Sequence, residues 1–157
     1  MSIVLARIDD RLIHGQVMTS WLNYTGANRI IIVDDETAND TFLKMIVTSV
    51  APANIKTEVF GTNDGANAIK QLTEADKVII LAKSPEVYVA LTNQGISLEK
   101  INIGGMGAKE GRTKFYKNIS ASSAEKESLK KLVDAGAAVT IQIIAEDKAI
   151  DVAKLLT

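Results

Sequence analysis

Residues 6–17 read ARIDDRLIHGQV and gather the chain's one histidine, two arginines and two adjacent aspartates within twelve positions. An imidazole with an ordinary pKa of about 6.5 is largely neutral near pH 7, so one ring nitrogen of His14 can attack while the other donates a hydrogen bond. Asp9 or Asp10 is placed to fix that tautomer and the ring's orientation. Arg11 can hold two oxygens of an anion at once. Gly15 and Gln16 open an amphipathic helical pattern, and their amides would form a helix start, which favours a phosphate group through exposed N–H donors and the helix dipole. Nucleophile, orienter, cation and anion nest fall within eight residues, Asp9 to Gln16. That combination is the chemistry of a histidine that carries phosphate. Arg7 is either a second cation for the same anion or the partner of an acid within the fold, and Arg112 is a candidate to reach the site from a distant loop.

The elements that must position these residues follow from hydrophobic periodicity. Short β-branched runs recur as SIVLARI, RIIIV, KTEVFG, KVIILA, INIGG and AVTIQII. Between most of them lie helical patterns: Val17, Trp21 and Tyr24 share one face, as do Phe42, Met45, Ile46 and Ser49. Further helices are expected over NDGANAIKQL, PEVYVALTNQ, SAEKESLKKLVDAG and EDKAIDVAKLL. Asp64, Pro85 and Ser122 or Ser123 suit helix starts, and Gly95 and Gly136 suit helix ends. Strands alternating with helices imply βαβ units, and nearly all-apolar strands imply a sheet covered on both faces. The expectation is an α/β fold: a single doubly wound domain over residues 1–157, with a mostly parallel central sheet and helices on both faces. Gly104 to Asn118 is read as a long loop leading to a short strand at FYKNI. In such sheets ligands gather outside the carboxyl ends of the strands, where Asp9 and Asp10, Asp34 and Asp35, Lys83 and Ser84, and Gly104 and Gly105 all fall, with His14 beside them.

Two other stretches invite functional readings. INIGGMGAKEG is glycine-rich, but counting from Gly105 the sixth position is Glu110, which breaks G-x-G-x-x-G, and Lys109 follows Ala108, which breaks the P-loop pattern. These glycines are read as letting a loop turn sharply and approach a neighbour closely. IIIVDDE at 30–36 resembles the acidic pair of phosphoacceptor receiver domains, yet no aspartate closes the third strand, so Asp34 and Asp35 are read as loop or capping carboxylates.

Composition removes whole classes of function. The 157 residues are enough for one sizeable core and carry a net charge of -1 with both signs interspersed, so neither a nucleic-acid field nor a polybasic tail is present. Aromatic residues, at 4%, are too sparse for base-stacking platforms. No cysteine and one histidine leave no thiolate chemistry and no Cys/His metal site. The apolar run in MSIVLARIDD is too short for a signal peptide, and nothing approaches the roughly 20 apolar residues of a membrane span. A cytoplasmic protein is expected, working at a membrane only through partners.

RIDDRLIHGQV closely resembles the phosphorylation-site loop of the IIB subunits of the mannose–fructose–sorbose family of the bacterial sugar phosphotransferase system. NIGGM, GRTK at Gly111–Lys114 and IIIVDDE are similar to that family's pattern as well, and the resemblance runs over essentially the whole chain. It implies His14 as phosphoacceptor and Arg11 as the arginine touching the phosphoryl group, with no cofactor. It implies a IIA protein as donor, membrane IIC and IID subunits as partners, a sugar as final acceptor, and a cytoplasmic chain held at the membrane through IIC and IID. Asp10 and Gln16 fall in the same motif. Two other accounts compete: a nonenzymatic α/β module that binds an anion or nucleotide and regulates a partner, and a small hydrolase with His14 as base, which lacks an identifiable nucleophile elbow. Leu12 and Ile13 are expected to anchor the loop, since a loop that bears a charged phosphate must be held down.

Overall fold

The computed structural model describes residues 2–157. The six β-branched runs form six parallel strands: β1 (Ile3–Asp9), β2 (Arg29–Val33), β3 (Lys56–Phe60), β4 (Val78–Ala82), β5 (Lys100–Gly105) and β8 (Ala138–Ile141). Their order is β3-β2-β4-β1-β5-β8, and β9 (Ile150–Asp151) closes the far edge antiparallel to β8. β4 is buried at all five positions and β2 at its last four, as strands covered on both faces must be. Burying each such Ile, Leu or Val contributes about 1.5–3 kcal/mol relative to leaving it exposed.

Helices cover both faces. α1 (Gly15–Thr25) and α3 (Thr41–Val50) pack with Ile30, Ile32, Ile79 and Leu81 on one side. α4 (Thr62–Lys70), α5 (Pro85–Asn93) and α6 (Ser123–Asp134) pack with Ile31, Ile80, Ile101 and Ile103 on the other. A four-residue α2 (Asp35–Ala38) follows β2. The chain therefore leaves β1 toward one face, while the strands on either side of it, β4 and β5, lead to helices on the opposite face. That divergence opens the sheet at the carboxyl end of β1, where a doubly wound fold places its ligands.

Most helix boundaries lie where the punctuation puts them. Ser122 caps α6 in a full capping box with Glu125, Pro85 opens α5 behind Ser84, and Gly95 and Gly136 take left-handed backbone just past α5 and α6. Asp64 sits inside the first turn of α4 rather than at its cap, which is Gly61. Asp34 and Asp35 are indeed capping carboxylates. Asp34 accepts from the backbone N–H of Thr37 at 3.1 Å, and Asp35 from that of Thr62 at 2.8 Å.

Four expectations are corrected. EDKAIDVAKLL is not a helix: Ile150–Asp151 pairs with β8, Val152 is fully buried and donates to the Val139 carbonyl, and only Ala153–Leu155 makes a 3₁₀ turn. The open edge of β8 outweighs the local helical pattern. Gly104–Asn118 is more ordered than a loop, because Thr113–Tyr116 (β6) and Ile119–Ala121 (β7) form an antiparallel hairpin that turns at Lys117 and Asn118. Tyr24 is exposed, since the buried stripe of α1 is Val17, Met18, Trp21 and Leu22 and Tyr24 lies beside it. Phe42, Met45 and Ile46 point outward, with Phe42 64% exposed, whereas Leu43 and Val47 on the same helix are only partly exposed. A helix apolar on every side gives periodicity no means of choosing which side is inside.

The α1 face of the sheet holds a polar interior at its centre. Arg7 on β1 is fully buried, and on β5 Gly104 stands beside its guanidinium: a Cβ added to Gly104 would lie 1.9 Å from Arg7 Cζ. A Cβ on Gly105 would lie 2.7 Å from Asp9 Oδ1. On the other face Tyr88 of α5 is completely buried, and its hydroxyl donates to the carbonyls of Arg7, at 2.8 Å, and Ile80, at 3.0 Å. Burial raises the Tyr88 pKa, so the phenol remains a donor. Two substitutions test this packing by urea denaturation. Tyr88→Phe keeps the ring but removes the shared donor, and is expected to lower stability by about 0.5–1.5 kcal/mol. Gly104→Ala forces the buried guanidinium aside, with an expected cost of about 1–3 kcal/mol; unchanged stability would mean that Arg7 is not confined.

Candidate functional site

β1 ends at Asp9, and its side chains alternate: Ile8 enters the core on the α5 side, while Arg7 and Asp9 share the opposite face. The chain then turns sharply. The Leu12 N–H donates to the Asp9 carbonyl at 2.9 Å, and Leu12 itself lies in the left-handed region at φ 59°. A non-glycine residue there costs about 1–3 kcal/mol. Burial of the Leu12 side chain offsets this by about 1.5–3 kcal/mol, since Leu12 and Ile13 both sink into the cluster around α1. The anchoring role expected of these two residues is what the geometry has.

His14 is the N-cap residue of α1, with extended backbone and its carbonyl accepting from the Met18 N–H at 2.8 Å. His14, Gly15 and Gln16 are exposed, and the space a Gly15 side chain would occupy is open. The first amides of α1 have no partner within the helix and point toward its start. Neither neighbouring aspartate orients the imidazole, which corrects the expectation for Asp9 and Asp10: both carboxylates are bound elsewhere.

Asp9 is 1% exposed and is shared by two arginines. Its Oδ1 accepts from the Arg11 backbone N–H at 3.0 Å and from Arg11 Nε at 3.1 Å, and its Oδ2 from Arg11 Nη2 at 3.2 Å and Arg7 Nη2 at 3.3 Å. The bond to Asp9 raises the Arg11 pKa, so this guanidinium is always charged. Its side chain is 48% exposed, and both Nη1 protons and one Nη2 proton make no hydrogen bond among the described residues. Beside it lies a depression of about 350 Å³, lined by Asp9, Arg11, Gly105, Ile119 and Ile143 among others. Arg7 is no second phosphate ligand in this arrangement, because it is enclosed beneath Asp9; of its two readings, the pairing with an acid holds.

Asp10 is held by a separate set. Its backbone N–H donates to the Gly105 carbonyl at 2.9 Å, and its Oδ2 accepts from the Gly107 N–H at 2.7 Å and from Arg112 Nη1 at 3.0 Å. Arg112 reaches the site edge, as the sequence suggested, but as a strut. Its Nε and Nη2 each donate to Glu125 at 2.8 Å, and its Nη1 also reaches the Gly107 carbonyl at 2.8 Å. With the further contact from Nη2 to Asp10 at 3.3 Å, all five of its N–H donors are engaged. Glu125 simultaneously accepts from the Ser122 N–H at 2.9 Å. Burial pushes the Glu125 carboxyl up, but Arg112 and Ser122 outweigh it and hold the pKa below the usual range.

Sequence reasoning missed Glu125 and Asn102. Glu125 was marked by the S-x-x-E spacing of a capping box, which says nothing of a second partner. Asn102, buried on β5, takes a hydrogen bond from Arg7 and gives one to the Gln142 carbonyl at 2.9 Å. A lone polar residue inside the apolar run INIGG was its signal. Among the described residues no group of three or more His, Cys, Asp or Glu side chains is arranged as metal ligands, and no helix is long and apolar enough to cross a membrane.

The comparisons with known proteins agree on one family. Residues 3–157 match the model of the PTS system sorbose subfamily IIB component. The chain is 36% identical over 156 residues to the sorbose-specific EIIB component of Lacticaseibacillus casei, covering 97% of this chain and 93% of that protein. It is 33% identical to the fructose-specific EIIB component of Bacillus subtilis, covering 99% and 96%. The mannose-specific EIIAB component of Escherichia coli is 34% identical, and there the match spans 49% of the longer protein. The solved IIBSor domain of the sorbose permease from Klebsiella pneumoniae superposes with a TM-score of 0.92 at 30% identity, covering 99% of this chain and 96% of that one. The chain therefore belongs to the sorbose subfamily of phosphotransferase-system IIB components, and it is a phosphotransferase that passes a phosphoryl group in sugar uptake rather than a nonenzymatic anion- or nucleotide-binding module.

Proposed function

We propose that His14 is the residue that carries the phosphoryl group. The supporting observation is the exposure of His14 at the start of α1, three residues after an arginine that retains three uncommitted N–H donors. The donor is a phosphohistidine on a IIA protein. One ring nitrogen of His14 attacks phosphorus as the donor's P–N bond breaks. A sugar hydroxyl presented by membrane IIC and IID subunits then attacks in turn, the P–N bond to His14 breaks with its electron pair returning to the ring nitrogen, and the hydroxyl proton ends on the imidazole so freed or on water. Arg11 and the amides of Gly15 and Gln16 neutralise the phosphoryl oxygens through both steps, and no cofactor takes part. Such transfer leaves little covalent work to the protein, so positioning and charge carry it. Asp9 and Asp10 act indirectly, by orienting Arg11 and by tying the loop to β5. The whole chain, residues 1–157, serves as one cytoplasmic IIB domain held at the membrane through IIC and IID.

Incubation with a phosphorylated IIA protein should add the mass of one phosphoryl group, labile in acid and stable in base. His14→Ala should abolish the gain, and Arg11→Ala should leave the fold intact while slowing transfer by about 10²-fold, the scale for losing one charge-stabilising donor. Mass gain in His14→Ala would place the phosphoryl group elsewhere, and transfer at the parent rate in Arg11→Ala would remove the role given to that arginine.

A further inference from the structure

Two arginines share the Asp9 carboxylate, and they are held very differently. Arg11 approaches from the solvent side. Arg7 is fully buried and fixed on several sides: its Nη1 donates to Asn102 Oδ1 and, at 3.0 Å, to the Gln142 carbonyl, while its Nη2 donates to Asp9. The Trp21 ring lies 5.6 Å from its Cζ, and Gly104 closes the remaining side without room for a Cβ. Burial pushes the Arg7 pKa down while Asp9 pulls it back up.

A phosphoryl group on His14 brings a charge of about −1.5 to −2 near pH 7 and, by engaging the open donors of Arg11, shares with Asp9 the charge of that guanidinium. Were Arg11 the only counter-ion, this sharing would leave a buried carboxylate under-compensated, which is disfavoured. Arg112 cannot fill the gap, because its donors are engaged with Asp10, Glu125 and Gly107. We propose that Arg7, fixed by Asn102, is a positioning residue: it stays with Asp9 as a permanent counter-ion and so lets Arg11, still oriented by Asp9, turn its open donors and its charge to the phosphoryl group. This rests on His14 as the acceptor. Arg7 touches neither the phosphoryl group nor a docked partner; it acts through Arg11. Asn102 contributes by accepting from Arg7 on the side away from Asp9, so that the buried guanidinium stays in place.

The test uses the full chain labelled with ¹⁵N-arginine, phosphorylated by a phospho-IIA protein and followed by mass and by its guanidinium resonances. The expected result is a gain of one phosphoryl group, a shift of the Arg11 resonances and unmoved Arg7 resonances. A phosphorylated chain in which Arg7 shifts as much as Arg11 overturns the inference while leaving His14 as acceptor. A chain that takes up no phosphoryl group from a donor able to phosphorylate an established IIB protein removes the reading of His14, and the inference with it. Kinetics supply the second arm. Arg7→Met should lower the transfer rate at saturating donor at least about tenfold with the donor KM unchanged. A rise in KM alone, or transfer at the parent rate, overturns it. If Arg7→Met does not fold, the resonances of the parent chain decide by themselves.

Discussion

The site depends on one buried carboxylate with two cations. Asp9 lies at the carboxyl end of the central strand, where a lone charge would be costly, and Arg7 and Arg11 hold it from below and above. Much of the neighbouring sequence follows from that requirement. β5 must carry glycine at 104 and 105, because any side chain there would occupy the volume of the Arg7 guanidinium or of the Asp9 carboxylate. The pairing of β1 with β5 shifts register between Ile8 and Asp9, so that Asp9 stands opposite Gly105 rather than Gly104. The NIGGM stretch, which fails as a nucleotide motif, is therefore a packing motif. It is the half of the ion cluster that carries no charge.

A second cluster ties the loop to the rest of the molecule. Arg112 joins Asp10 on the loop to Glu125 on α6, and its side chain is 1% exposed. Breaking such a pair by removing one partner costs about 3–5 kcal/mol, because it leaves an uncompensated buried charge. The two clusters balance in charge: Arg7, Arg11 and Arg112 stand against Asp9, Asp10 and Glu125. The distribution is uneven. The Asp9 cluster carries one excess positive charge, on the solvent side at Arg11, and the Arg112 cluster carries one excess negative charge, spread between a buried and a partly exposed carboxylate. The surplus cation is thus the solvent-facing Arg11, three residues before His14 in the same loop.

What was legible in the sequence was whatever local chemistry decides. β-branched runs, capping residues and the IHG turn into α1 each specify their own structure within a few residues, and the strands, most helix boundaries and the place of His14 at the start of α1 follow. The R-x-D spacing of Arg7 and Asp9 also carried more than it yielded, since period-two alternation along a strand puts both on one face. What stayed hidden depends on partners far away in the chain. Arg112 meets Asp10 across about a hundred positions, and Arg7 meets Asn102 across nearly as many. Likewise the C-terminal segment adopts β9 because an unpaired strand edge lies within reach, and α3 presents Phe42 and Ile46 to solvent although its pattern marks them as a core face.

A phosphoryl carrier has to meet two demands that conflict. The acceptor must be exposed enough for two partners to reach in turn, yet the charge it gains must be met at once by groups already in place. With His14 proposed as the acceptor, rigid backbone answers the first: the left-handed turn at Leu12, anchored by the buried Leu12 and Ile13, leads directly to an exposed His14 at the start of α1. The second needs a cation that is positioned but not consumed. An arginine bound to nothing would be poorly placed, and one enclosed like Arg7 or Arg112 would be too costly to recruit. Arg11 lies between those limits, oriented by two bonds to Asp9 and open on its other side. The buried Arg7 beneath it holds the same carboxylate, which in the proposed scheme is what keeps the intermediate position stable.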